Sequence, residues 1–117
     1  MIAFRPGFKI LLYSQPVDFR GGINSLAHLV AVSLKDDPYS GAVFIFRSRR
    51  SDRLKLLAWD GSGMILATKW LEEGKFKWPP ISGGMVRLGA EQMALLLCGL
   101  EWLKIQPPTI TPPKILR

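Results

Sequence analysis

Apolar residues in this chain come in short runs and stripes cut by Gly, Pro, Asp and Ser. Residues 8–14 (Phe8-Lys9-Ile10-Leu11-Leu12-Tyr13-Ser14) form a run between Pro6-Gly7 and Pro16, which fits a strand. After Gly21-Gly22, the residues Ile23, Leu26, Ala27, Val30 and Leu34 recur at helical spacing. That spacing predicts a helix ending near Lys35, because Asp36-Asp37-Pro38 and Ser40-Gly41 are turn chemistry. His28 falls within this helix, where a packed or half-exposed histidine is the ordinary case.

Residues 42–78 are the most regular stretch. Val43-Phe44-Ile45-Phe46 is β-branched and aromatic, and Leu54-Lys55-Leu56-Leu57-Ala58-Trp59 follows a polar turn. Asp60-Gly61 is a two-residue hairpin signal, with Gly63 just beyond it, and Met64 to Trp70 returns as the next strand. Glu72-Glu73-Gly74 turns again, and Lys75-Phe76-Lys77-Trp78 alternates charge and aromatic with period two. The expected fold class is α+β: an antiparallel β-meander of about four strands packed with two helices, one sheet face covered and the other partly wet. The second helix follows the Gly83-Gly84 break, where Met93, Leu95, Leu96, Leu97 and Leu100 make a broad apolar stripe behind a polar first turn. Residues 1–105 are expected to form the single domain. Residues 106–117, with four prolines between Pro107 and Pro113, are expected to be an extended, mobile tail.

Composition narrows the functions. At 117 residues, 48% hydrophobic and 21% charged, the chain suits one ordinary globular core. One cysteine (Cys98) and one histidine (His28) leave no parts for an internal disulfide, a Cys-based metal cluster or a Ser-His-Asp or Cys-His triad. No metal or cofactor is expected. The first residues do not read as a signal peptide, and no apolar run approaches the roughly 20 residues of a membrane span, so a cytoplasmic protein is expected.

Sixteen Lys+Arg against nine Asp+Glu give +7. More than half of that excess sits in Arg47-Ser48-Arg49-Arg50-Ser51-Asp52-Arg53-Leu54-Lys55, which carries five cations and one acid. On a hairpin tip these arginines suit phosphate and guanine edges, and Lys69, Lys75 and Lys77 on adjoining strands extend the candidate nucleic-acid surface. The competing reading is a solvated turn whose arginines pair with Asp52 and Asp60. Trp59, Trp70, Trp78, Phe44, Phe46 and Phe76 interleave with these cations and suit base stacking, although packing a small sheet is their commoner role. The carboxylates Asp18, Asp52 and Asp60 each have a turn or pairing explanation, which leaves a metal-dependent nuclease the weakest reading.

Several segments, in order, resemble a known family. They are Pro16-Val17-Asp18-Phe19-Arg20-Gly21-Gly22-Ile23, the run from Gly41 to Lys55, Trp59-Asp60-Gly61-Ser62-Gly63, the run from Lys69 to Pro79, and the closing leucine helix. Over about residues 1–103 the chain resembles the TnpB accessory proteins of the insertion sequence 66 family, the product of that element's second open reading frame. The resemblance implies a role in transposition of a bacterial mobile element, with DNA and the element's transposase proteins as partners. In that family the larger partner carries the catalytic acids, so no catalytic residue carries over. Gly21 stands where a basic residue is expected, and Met64 where an aromatic is usual. The resulting expectation is a non-catalytic DNA-binding factor. A protein–protein adaptor working through the leucine helix and the Pro-rich tail is the rival.

Overall fold

The computed structural model describes residues 8–81 and 84–104; residues 1–7, 82–83 and 105–117, the last including the Pro-rich segment, lie outside them. The elements run β1 (Ile10–Tyr13), α1 (Ile23–His28), β2 (Val43–Arg47), β3 (Arg53–Trp59), β4 (Met64–Trp70), β5 (Met85–Leu88) and α2 (Ala90–Leu97). The fold is α+β, but the sheet is mixed and has five strands in the order β4-β3-β2-β1-β5. β1 pairs parallel with β2, Leu11 opposite Phe44, while β2–β3, β3–β4 and β1–β5 are antiparallel. A parallel pair needs a crossover, and the segment carrying α1 supplies it. The expected purely antiparallel meander therefore holds only for β2, β3 and β4.

Two further expectations are corrected. Residues 75–78 are not a strand. Their alternation is real, with Phe76 buried, Trp78 half-buried and both lysines exposed, but the chain turns away from the sheet edge after β4. Leu71 N–H donates to Asp52 O (2.9 Å) and Phe76 N–H to Ser51 O (2.7 Å), which folds this segment under the β2–β3 turn. It then runs as a strap to β1, where Trp78 Nε1–H donates to Tyr13 O (2.9 Å). That path delivers the chain to the far edge, where β5 pairs with β1.

Nor is one face wet. Leu26 of α1 and Val30 of the helical turn that follows it pack on Phe44, Phe46 and Leu57. On the opposite face Leu12, Ile45, Leu54 and Leu56 pack with Phe76, Leu96 and Trp102. Both faces of the central strands are thus dry, which explains why β2 reads as continuously apolar rather than alternating.

The first helical segment ends near Lys35 as its apolar stripe predicts, but only Ile23–His28 is α-helical. After His28 it widens into a π-helical turn over Leu29–Ser33, where Leu34 N–H reaches back to Leu29 O (3.0 Å), and it stops at Lys35 with φ +53°. α2 opens at Gly89, whose N–H donates to the Gln92 side chain (2.9 Å).

Four residues, not two, separate β3 from β4. Asp60 Oδ1 accepts the Ser62 and Gly63 N–H groups (2.9 and 2.8 Å), which closes the loop around one carboxylate. Those backbone donors hold the Asp60 carboxyl below its ordinary pKa. Gly61 sits at φ +104°, a region costly for any residue with a Cβ. Gly61→Val is expected to lower stability by about 1 kcal/mol or more in urea unfolding. An unchanged midpoint would mean that the loop readily adopts another conformation.

Candidate nucleic-acid interface

The arginine-rich run forms the end of the β2–β3 hairpin. Arg47 closes β2, Arg53 opens β3, and Ser48 to Asp52 turn between them. Ser48 organises the turn: its N–H donates to Arg53 O (3.1 Å), and its Oγ accepts from Arg53 N–H (3.3 Å) and donates to Asp52 (3.3 Å). Ser51 takes φ +60°, which tightens the loop. The side chains of Arg49 and Arg50, at the tip of this turn, stand in solvent.

The candidate cations occupy different environments. Arg49, Arg50, Lys69, Lys75 and Lys77 are exposed, while Arg47, Arg53 and Lys55 are half-buried. Arg47 donates to Ser48 O (3.2 Å), and its partial burial lowers its pKa from the usual arginine value. Arg53 lies opposite Trp70 in the β3–β4 ladder and stacks its guanidinium 3.9 Å from the indole centroid. The Nε atoms of both Arg47 and Arg53 are buried without a hydrogen-bond partner. Lys69 pairs with Leu54 one position along, and residues 71–76 fold beneath the turn. The strap therefore brings Lys75 to the same end of the sheet as the hairpin arginines, although it is not a strand.

Lys55 is different. Its Nζ donates to Phe19 O (3.1 Å) and Gly21 O (3.4 Å) and lies 4.8 Å from the Phe19 ring centroid. This ties the loop before α1 to the sheet. That loop borders the arginine turn: Val17 N–H donates to Arg47 O (3.0 Å), and residues 17–20 share a surface depression with Ser48 and Arg49. Asp18 and Arg20 form a fork there (2.7 Å at the closest), with the hydrogen-bonded guanidinium holding the Asp18 carboxyl at about 2. Nothing local in the sequence marks this loop as a neighbour of the turn, since the contact spans the whole crossover.

The proposed pairing of hairpin arginines with Asp52 and Asp60 does not form. Among the described residues the ion pair is Arg20–Asp18, and Asp60 is held by its own loop. The aromatics separate cleanly. Phe44, Phe46 and Phe76 are core. Trp59 meets Tyr39 edge-on at 5.3 Å, Trp78 is tied to β1, and Trp70 remains 62% exposed. Among the described residues no three or more His, Cys, Asp or Glu side chains gather where they would hold a metal ion, and no helix is long and apolar enough to cross a membrane.

The hairpin end of this small mixed sheet gathers Arg47, Arg49, Arg50 and Arg53 at one place on the surface. Residues 8–107 match the family described as IS66 Orf2 like protein, and the chain belongs to that transposition-associated family. It is similar to the uncharacterized protein y4jC of Sinorhizobium fredii, with 47% identity over 98% of this chain and 99% of that one. It is also similar to the uncharacterized protein y4hO of the same organism, with 40% identity over 80% of this chain and 82% of the relative. No solved structure matches.

Proposed function

We propose that this chain is a non-catalytic accessory factor of insertion-sequence transposition that holds DNA on the β2–β3 hairpin end and works beside the element's transposase proteins. The observation that carries this reading is the hairpin's uncompensated charge: Arg47, Arg49, Arg50 and Arg53 make no ion pair among the described residues. A cluster of this kind attracts a polyanion, and guanidinium groups match phosphate geometry. Family membership supplies the process, and the hairpin supplies the contact. The leucine helix suits the adaptor reading less well, because Leu96 is buried and Leu95 and Leu97 pack against the core.

Arg49 and Arg50 test the reading, since they are exposed and hold nothing else in place. Arg49→Ala with Arg50→Ala is expected to weaken DNA binding in a gel shift while leaving the thermal midpoint nearly unchanged. If the four hairpin arginines each neutralise one phosphate, log affinity should fall against log salt with a slope of about −3.6 in the wild type, and the double variant should flatten it by about 1.8. Undiminished binding by the variant, or a wild-type slope near zero, would transfer the function to another surface.

A further inference from the structure

Among the described residues, Trp70 is the one large aromatic of the basic end that the core does not use. It closes the edge strand β4, is 62% exposed, and lies opposite Arg53 in the ladder. A cross-strand Arg–Trp pair can be mere surface packing, but three features set this one apart. Arg53 covers the indole at 3.9 Å, which fixes the ring in one orientation and adds a permanent positive charge to one side of it. Arg53 also lines a cavity of about 240 Å³ with Ser48, Arg49, Arg50 and Asp52, so a flat apolar ring adjoins an arginine-walled depression. Finally, a tryptophan left 62% exposed beside this cluster of arginines forgoes the burial that a ring of its size gains in a core.

An exposed flat ring beside a cationic groove is the arrangement by which proteins hold unpaired nucleotides: the groove takes the phosphate and the ring takes the base face. A paired base offers no free face, because its neighbours in the stack cover it. From this juxtaposition we infer that Trp70, braced by Arg53, is a stacking platform for an unpaired base. The DNA this chain engages is then single-stranded or locally opened at the point where it meets the hairpin end. The inference rests on the nucleic-acid reading above and adds the state of the strand to it. Arg49 and Arg50 serve the phosphates of any DNA, whereas Trp70 serves only an unpaired base.

The full chain is titrated with a labelled single-stranded oligodeoxythymidine and, separately, with a labelled duplex of the same length, by fluorescence anisotropy at fixed low salt. Trp70→Ala is expected to weaken single-strand binding by about 5- to 150-fold, the range for losing one stacked base, and to change duplex binding by less than about twofold. Trp70→Phe keeps a ring and should retain most of the single-strand affinity, while reducing the tryptophan quenching expected when the wild type binds. Arg49→Ala with Arg50→Ala should weaken both titrations. Unchanged single-strand binding by Trp70→Ala, or an equal loss on both DNAs, overturns the stacking role while the basic interface stands. A wild-type chain that binds duplex but no single strand also overturns it. Binding to neither DNA overturns the nucleic-acid reading together with it.

Discussion

Trp102→Ala is expected to remove about 3–5 kcal/mol of stability, a large share of the roughly 5–15 kcal/mol available to a domain of this kind. Trp102 is 1% exposed although it lies beyond the last helix. Its indole packs into the face that contains Leu12, Ile45 and Leu96, and its Nε1–H donates to Lys77 O at 2.7 Å. The Glu101 carboxylate accepts the N–H groups of Trp102 and Leu103 (both 3.0 Å), which turns the chain so that the ring enters the core. Truncation opens a ring-sized void and leaves a strap carbonyl without its donor. Urea unfolding measures the loss. Trp102→Phe, which refills most of the void but not the hydrogen bond, should fall between the wild type and Ala. A loss below about 1 kcal/mol for Ala would show that residues 99–104 contribute little to the core.

The second large effect separates structure from binding within the basic cluster. Lys55→Met is expected to cost about 2 kcal/mol, because hydrogen bonds from a charged group contribute roughly 1.5–3 kcal/mol and this ammonium donates to two carbonyls of one loop. Methionine keeps the aliphatic stem beside Phe19 and removes only the charge and its donors. The loop from Pro16 to Gly22 should loosen, giving faster amide exchange at Phe19 to Gly22, while DNA affinity falls less than in the Arg49/Arg50 double variant. Intact stability with lost binding would instead make Lys55 a phosphate contact.

Sequence pattern reveals β2, β3 and β4 because each is long, β-branched or aromatic, and ends in turn chemistry such as Asp60-Gly61. β5 escapes it. Met85-Val86-Arg87-Leu88 is only four residues long and has no hairpin partner next to it. The parallel pairing of β1 with β2 was readable in the order strand, helix, strand, but the strong hairpin signals that follow favour a meander. The arginine turn is likewise plain in the sequence, since charge density and exposure at a tip need only local information. Which of its neighbours are free is not. Lys55 and Lys69 look equivalent along the chain, yet Lys55 points at the loop before α1 and Lys69 lies exposed on the other side of the sheet. The Arg53–Trp70 stack depends on a register set by a loop of four residues. Aromatic residues 44, 46, 59, 70, 76 and 78 are alike in type, and only the three-dimensional arrangement separates a core ring from a free one.

The placement of β5 also orders events in time. The β3–β4 hairpin closes around four residues, and β2 joins it across another short turn, so these three strands can assemble as soon as they exist. β1 is made earlier but must wait: the Ser14 hydroxyl and N–H bond Gly84 O, 70 residues later in the chain. During synthesis at about 5–20 residues per second, one edge of β1 stays open for several seconds before its partner is available. One edge of β1 thus has no partner until β5 has been made, whereas the arginine turn joins two strands that follow one another directly in the chain.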